Sequence, residues 1–482
     1  MMKLNELYNG VESDVVIKSI SINSKECKKG DLFVCTKGVT ADRHDFIDDA
    51  IKNGASAVVV SKDVGKKDVP IIKVPDTNRE LPYLCQKFYG YPDKKMKMIA
   101  VTGTDGKTTT ATIIQKLIGS NLCGYIGTNG RSCAAFTGDN PNTTPDAHLL
   151  YDYLDEFVKF NCKYVSMEAS SEAFFRGRLQ ATTFDVSILT NVTSEHLNIH
   201  GTFENYLNCK LQLFRQTKKD GLCVINCDDK YCQYAIQASN GRIVTYGLSP
   251  NNTLQIVNFK VLPNGTKITF KYKGNEFNID SPLLGDFNVY NLAAALLTCL
   301  ELGFKLDDLL VNIPDLNIDG RMQLLDTKTP YYVMVDYAHT PNGISRLLNF
   351  VHSLDINRSI VVIGQAGERD YLKRPKVGNV VVENASYAIF TYEDPRSEDP
   401  KKICDDIVSE LKATHSNYEI VVDRREAIKK AISLAKPKDM VLILGKGNET
   451  YQKLKDKTIH FNDCEEAFQA VASRNLEEQY NK

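Results

Sequence analysis

The segment Val101-Thr-Gly-Thr-Asp-Gly-Lys-Thr-Thr-Thr110 carries the residue types that hold a polyphosphate. Gly103 and Gly106 allow the backbone to turn its N–H groups toward phosphate oxygens. Lys107 adds a mobile positive charge, and Thr108 offers a hydroxyl to a divalent cation at a helix start. The loop is shorter than the usual pattern, because Val101 stands where the first glycine of G-x-x-x-x-G-K-[ST] would be. A bare G-x-x-G-K-T also occurs in ordinary strand-to-helix turns, so context decides. Before it runs the apolar Met98-Ile-Ala-Val101, and after it Ile113, Ile114, Leu117 and Ile118 fall at helical spacing. Strand, loop and helix are therefore predicted, which is the setting a phosphate loop requires.

Other polar clusters follow apolar runs further along. Glu168-Ala-Ser-Ser-Glu172 follows Tyr164-Val-Ser-Met167, Thr190-Asn-Val-Thr-Ser-Glu-His196 follows Asp185-Val-Ser-Ile-Leu189, and Asn226-Cys-Asp-Asp229 follows Cys223-Val-Ile225. Thr108, Glu168 and His196 are the best candidates to hold Mg²⁺, a hard cation that keeps waters and bridges to substrate phosphates. A lone acid after a strand is as readily a solvated or capping residue. Lys210, on the helical stretch Tyr206 to Phe214, reads on its own as an exposed helix lysine.

The elements that must position these residues are short apolar strands alternating with helices, an α/β pattern with a mainly parallel sheet. In such sheets ligands sit beyond the carboxyl ends of the strands. Three domains are expected. Residues 1–93 form a small α/β domain, with strands at Asp31–Val34 and Ala57–Val60 and a helix at Phe46–Ile51 capped by Gly54. Residues 94–322 form the central phosphate-loop domain. Residues 323–482 form a Rossmann-like α/β domain with strands at Tyr332–Val335, Ser359–Ile363, Ala388–Phe390 and Val441–Leu444 and a helix at Arg425–Ala435.

Bulk properties narrow the classes. A length of 482 residues exceeds one core, and 43% hydrophobic with 25% charged residues is the composition of a globular protein. A net charge of -1 gives no electrostatic case for nucleic acid or an anionic membrane. With no apolar run of membrane-spanning length and no signal-peptide core, a cytoplasmic enzyme is expected. The 13 cysteines include no C-x-x-C pair and read as reduced core thiols.

Taken in order, these segments resemble the Mur ligases, and within them the UDP-N-acetylmuramoyl-tripeptide synthetase (MurE) branch, over essentially the full length. The matching residues include Gly30-Asp-Leu-Phe33, His44-Asp-Phe46, Thr102-Gly-Thr-Asp-Gly-Lys-Thr-Thr109, Thr143-Thr-Pro145 and Met167-Glu-Ala-Ser-Ser171. They continue with Thr190-Asn191, His200-Gly-Thr202, Glu204-Asn-Tyr206, Lys210, Gly320-Arg-Met322, Val335-Asp-Tyr-Ala-His-Thr-Pro341, Lys373-Arg-Pro375 and Gly445-Lys-Gly447.

The resemblance implies an ATP-dependent amide ligase of peptidoglycan precursor synthesis, acting as a monomer. It would add a diamino acid, foremost meso-diaminopimelate, to UDP-N-acetylmuramoyl-L-Ala-D-Glu through an acyl phosphate. The first domain would bind the UDP end, the central one ATP and Mg²⁺, and the third the amino acid. Gly103, Thr104, Asp105, Gly106, Lys107, Thr108 and Thr109 would hold ATP, together with Asn291, Arg321, Asp336 and His339. Glu168, His196, Thr108 and a carbamylated Lys210 would ligand the metal, and Lys107, Glu168, His196 and Lys210 form the catalytic set. Ser24, His44, Thr143, Thr144, Ser171, Arg178 and His200 would grip the UDP-muramoyl-dipeptide. Arg369, Arg374, Glu393, Asp394, Arg396, Gly445 and Glu449 would hold the amino acid.

In Glu393-Asp-Pro-Arg396, the arginine suits a distal carboxylate bidentately. Asp394 departs from the asparagine of the diaminopimelate box, Glu172 from a histidine, and Asn23 from an aspartate; Gln365-Ala-Gly-Glu368 loosens a glycine-rich turn. Alternatives are L-lysine as the added residue, a paralogue with another acceptor, a folylpolyglutamate- or cyanophycin-type ligase, and a nucleotide-binding protein without catalysis.

Overall fold

The computed structural model describes residues 1–38, 41–193 and 195–480. Ser194, within one of the predicted polar clusters, lies outside the described residues. The chain forms two compact units. The first is Met1–Ile256 with Lys271–Asn275 and Tyr290–Leu309; the second is Val257–Phe270 with Glu276–Val289 and Leu310–Lys482.

The first unit opens with a parallel sheet of four strands in sequence order, β1 (Ser19–Ser21), β2 (Asp31–Val34), β3 (Ala55–Val60) and β4 (Ile71–Lys73). Its two central strands are buried on both faces, and Phe33, Val58 and Val60 pack with Ile47 and Ala50 of the helix Ile47–Lys52. The other face joins a larger core containing Leu81, Leu84 and Cys85 of the helix α1 (Thr77–Phe88) and Leu150, Leu154 and Phe157 further on.

The central sheet of this unit contains β5 (Lys97–Thr102), β6 (Cys123–Gly127), β7 (Gly130–Cys133), β8 (Phe136–Gly138), β9 (Tyr164–Glu168), β10 (Phe184–Leu189), β11 (Thr217–Asn226), β12 (Arg242–Gly247) and the first residues, up to Ile256, of β13 (Leu254–Leu262). The order is β8-β7-β6-β9-β5-β10-β11-β12-β13. Among these nine strands the β6–β7 and β7–β8 pairings are antiparallel and the others parallel, so this part of the sheet is mainly parallel as its near-continuous apolar strands require. Register sets the chemistry. Glu168 pairs with Val101 and Leu189 with Thr102, so the exits of β9, β5 and β10 stand side by side.

Two helices carry the expected site residues. Helix α2 (Lys107–Ile118) starts from Gly106 at φ 82 and buries Ile113, Ile114 and Leu117. Helix α3 (Phe203–Arg215) starts from Thr202, whose hydroxyl accepts the Asn205 N–H. It buries Tyr206, Leu207, Leu211 and Phe214, and with them Lys210. The exposed helix lysine is thus corrected: Lys210 is 2% exposed, because its position falls on the apolar stripe of α3. All 13 cysteines are free thiols.

The sheet of the second unit contains β14 (Gln323–Leu325), β15 (Tyr332–Asp336), β16 (Ser359–Ile363), β17 (Tyr387–Phe390), β18 (Tyr418–Ile420) and β19 (Met440–Leu444). The order is β14-β15-β19-β16-β17-β18, parallel except for β14. Leu444 pairs with both Asp336 and Ile363, and Ile363 with Phe390, so four strand exits form one row. Apolar clusters fill both faces, one around Leu348, Val361 and Phe390, the other around Ile428, Val441 and Ile443.

Candidate active site

The loop between β5 and α2 is held from two sides. Asn191 accepts the Thr104 N–H on its backbone oxygen at 2.9 Å and the Asp105 N–H on Oδ1 at 3.0 Å. The Thr190 hydroxyl donates to Asp105 O at 2.6 Å. A Cβ on Gly103 would collide with Thr190 Oγ1, and one on Gly106 with Asn291 Oδ1. Asn291 is buried and its Oδ1 accepts from the Thr110 hydroxyl at 3.2 Å. Thr109 is buried beside Thr110 on the first turn of α2. Lys107 turns back on the loop, its Nζ donating to Gly103 O at 2.9 Å and Thr104 O at 2.8 Å.

Glu168 has no solvent exposure. Its Oε1 accepts from the Thr128 N–H at 2.7 Å and the Tyr125 hydroxyl at 3.0 Å, and its Oε2 from the Thr108 hydroxyl at 2.9 Å. Among the described residues every partner of this buried carboxylate is neutral. A buried anion with no cationic partner fits a metal ion close by. Gly127 is required here, since a Cβ would run into Glu168 Oε1 and the Tyr125 hydroxyl.

Lys210 Nζ donates to Gly103 O at 2.6 Å and lies 4.4 Å from the centre of the Tyr206 ring. Burial, reinforced by the charge of Lys107, holds its amine well below the usual lysine range. Tyr206 ties the group together: its hydroxyl meets the Thr104 hydroxyl at 2.8 Å, and its ring lies 6.3 Å from that of His196. His196 itself has φ 55, stays half-exposed and pairs with Glu195 at 3.5 Å. Among the described residues it makes no bond to Glu168. Thus Thr108 and Glu168 meet directly and Lys107 and Lys210 share one carbonyl, while His196 is linked through Tyr206. The cradle residues Tyr125 and Thr128 and the Tyr206 bridge were not foreseen as site residues. They lie in unremarkable sequence, and only the Glu204-Asn-Tyr206 motif pointed toward one of them.

The residues expected to grip the nucleotide sugar are mostly built into the scaffold. Ser24 is buried in the turn Ser24–Glu26. Both ring nitrogens of His44 are engaged, Nδ1 with Asp42 at 2.5 Å and Nε2 with the Ser61 N–H at 2.9 Å. The Thr143 hydroxyl meets that of Thr128 at 3.1 Å, and the Thr144 hydroxyl donates to Glu168 O at 2.8 Å. Ser171 meets His200 Nε2 at 3.1 Å. Burial lowers the pKa of His200, with the charges of His196 and Lys210 adding to it. A cavity of about 900 Å³ lies in the same unit, with Arg43, Arg79, Arg176 and Arg178 facing Asp76, Asp146 and Glu172. Arg178 alone of the expected set lines it, while donating to Thr144 O at 3.0 Å.

In the second unit several of the buried charges are paired. Lys446, fully buried, holds Asp394 at 3.0 Å and Glu449 at 2.7 Å. Arg374 binds Glu398 and Asp406, both at 2.9 Å, so its guanidinium is committed to the fold. Arg369 is exposed. Arg396, at φ 55, lines a second cavity of about 550 Å³ with Lys453, Lys455 and Lys457. Its Nε is buried without a protein partner among the described residues. Glu393 also keeps a buried Oε1 without a partner, and a Cβ on Gly445 would strike it. Desolvation pushes its pKa up to about 7 against the pull of Arg424, Lys446 and Lys373. Asp336 accepts the N–H groups of Met322 and Ala338, each at 2.7 Å, and burial raises its pKa. His339 Nδ1 donates to Tyr337 O at 2.8 Å, and Arg321 stacks on the Tyr337 ring at 4.9 Å.

Comparison with known proteins converges on one family. Residues 16–95 match a model described as Mur ligase family, catalytic domain; residues 101–299 the Mur ligase middle domain; and residues 320–447 the Mur ligase, glutamate ligase domain. The chain is 35% identical to UDP-N-acetylmuramoyl-L-alanyl-D-glutamate--2,6-diaminopimelate ligase of Clostridium perfringens, over 98% of this chain and 100% of that one. It is 37% identical to the enzyme of the same name from Aquifex aeolicus, over 93% and 92%. A solved structure of a ligase of that name superposes with a TM-score of 0.71 at 30% identity, covering 98% and 99%. The MurF ligase of Thermotoga maritima in complex with ADP shares the fold, with a TM-score of 0.63 at 19% identity over 97% and 100%. The chain belongs to the Mur ligase family.

Proposed function

We propose that this chain is an ATP-dependent ligase that joins diaminopimelate to UDP-N-acetylmuramoyl-L-Ala-D-Glu in cytoplasmic peptidoglycan precursor synthesis. The observation that carries the reading is that the phosphate loop meets Lys210 at the Gly103 carbonyl and that Thr108, at the start of the helix it opens, meets Glu168, in a chain alignable end to end with ligases of that name. Residues 1–93 would take the UDP end, 94–322 ATP, and 323–482 the amino acid.

The residues present fit Mg²⁺. Glu168 offers a buried carboxylate with neutral partners, and Thr108 a hydroxyl on the same oxygen. Lys210, whose buried amine gives up its proton more readily than an ordinary lysine, can add to CO₂, forming a carbamate and releasing a proton; that carbamate would give Thr108, Glu168 and His196 a further anionic partner. When bound, Mg²⁺ supplies charge neutralisation for the polyphosphate.

Lys107 would leave the Gly103 and Thr104 carbonyls for the phosphate oxygens, which would sit at the N-terminus of α2, where the amides of a first helical turn can receive an anion. The substrate carboxylate attacks the γ-phosphorus of ATP and ADP leaves, giving an acyl phosphate. The amine of the amino acid then attacks the acyl carbon and phosphate departs. The chain contributes in-line positioning and charge stabilisation more than covalent chemistry.

For the amino acid, the Asp394 departure is less costly than its charge implies, because Lys446 neutralises it. Arg396 and three lysines, against Glu368 and Asp456, leave one cavity with an excess of positive charge, which favours a substrate with a distal carboxylate. L-lysine, which lacks that carboxylate, is the second reading. The test is phosphate release from ATP with purified protein, UDP-muramoyl-dipeptide and an amino-acid panel. Release should require both co-substrates and be fastest with diaminopimelate. Release with lysine alone would reassign the specificity, and none with any pair would remove the ligase reading.

A further inference from the structure

The turn after β11 brings two thiols together for which ligation has no use. Cys227 and Cys232 lie with their sulfurs 2.7 Å apart. Cys227 is half-exposed and Cys232 is buried. A disulfide needs a bond of about 2.05 Å, so less than ~1 Å of travel separates the pair from it. Other bonds fix the turn around them. Tyr231 N–H donates to Asp229 Oδ1 at 2.9 Å, and the Cys227 N–H to Tyr246 O at 3.0 Å.

The same turn grips the neighbour of the nucleotide loop. Asn226 Nδ2 donates to Thr190 O at 2.7 Å, and Asp229 Oδ2 accepts the Val192 N–H at 2.9 Å. Between those contacts sits Asn191, which holds the N–H groups of Thr104 and Asp105. A displacement of Asp229 is therefore transmitted through one residue to the phosphate loop.

We propose that Cys227 and Cys232 are an oxidation site, which closes to a disulfide in the presence of a small-molecule disulfide and thereby weakens ATP binding. The Cys227 thiolate, the more accessible of the two, attacks one sulfur of the oxidant and expels the first small thiolate. Cys232 then attacks Cys227 Sγ and expels the second. The two protein thiols are oxidised, the small disulfide is reduced, and both protons end on the two released thiols. Burial, with the hydrogen bond from Cys232, pushes Cys227 up to about 12, so closure accelerates as pH rises.

Lys230 lies between the cysteines, so trypsin separates Asp220–Lys230 from Tyr231–Arg242 unless a disulfide joins them. The full chain is treated with glutathione disulfide at alkaline pH, mapped without reductant, and assayed for its KM for ATP. The joined peptides are expected, with KM raised about fivefold or more and restored by dithiothreitol. Cys227→Ser should show neither the link nor the shift. Peptides that stay separate overturn the site. Joined peptides with an unchanged KM, or an equal KM shift in Cys227→Ser, overturn its coupling to the nucleotide loop. That coupling rests on the ligase reading, whereas the bond is read by mass alone. Reduced protein that releases no phosphate refutes the reading and leaves the peptide map to decide the site.

Discussion

Two regions, the phosphate loop of the first unit and the ion pairs around Lys446, Arg374 and Arg424 in the second, treat buried charge in opposite ways. Around the phosphate loop, Glu168 is enclosed by neutral donors and Lys210 by a carbonyl and an aromatic ring. In the second unit, Lys446, Arg374 and Arg424 each meet carboxylates at ion-pair distance. An unpaired buried charge is costly and persists where a ligand completes it; a paired one fixes shape. The first region is thus built to receive ions, and the second to hold a recognition surface in which the Arg396 Nε is buried without a protein partner among the described residues.

The contrast can be broken by mutation. The largest effect is expected at Lys210: Lys210→Ala should lower kcat by roughly 10²–10³-fold or more, with partial rescue by a small carboxylic acid. Wild-type turnover in that variant would remove Lys210 from the ion-receiving set. Next comes the pair Arg424–Asp463, fully buried at 2.7 Å. Asp463→Ala should cost about 3–5 kcal/mol of stability in denaturant titration, because it strands a buried guanidinium. A loss under ~1 kcal/mol would mean that the second unit's pairs do not fix its shape.

A smaller and more selective effect is expected from Arg396→Ala. It should raise KM for diaminopimelate by roughly tenfold or more while leaving KM for lysine nearly unchanged. Equal shifts for the two would show that Arg396 reads no distal carboxylate.

The smallest effect concerns Glu393. Its folded pKa, about 7, lies above the ordinary carboxylate value, so the folded state binds the proton more tightly. The resulting stabilisation is complete below the unfolded pKa and lost as pH rises through 7. Between pH 5 and pH 8 the Tm of the wild type should therefore fall relative to that of Glu393→Gln, and parallel curves would place the carboxyl in water.

The loop at 101–110 was legible because its glycines, lysine and threonine are contiguous and flanked by apolar runs of different period. Strand identities were legible for the same reason, with Asp31–Val34 and Ser359–Ile363 matching residue for residue. Burial of Lys210 was not, since one lysine on a helix carries no mark of the face it takes. The neutralisation of Asp394 was also hidden, because Lys446 lies 52 residues away in sequence. The Glu168 cradle depends on β9 lying beside β6, a neighbour relation set by sheet order and not by local pattern. The Cys227–Cys232 pair was read only as part of a pool of core thiols.

Lys107 also bears on the kinetics of nucleotide capture. By donating to the carbonyls of Gly103 and Thr104, it braces the loop in its turned conformation before any phosphate arrives. An incoming polyphosphate then finds its cradle shaped, and the ammonium trades two neutral acceptors for anionic ones. The entropy of ordering the loop is thereby met during folding and not at encounter. Capture should be limited by diffusion and by release of the lysine, a side-chain rotation, and not by a slow closure of the loop.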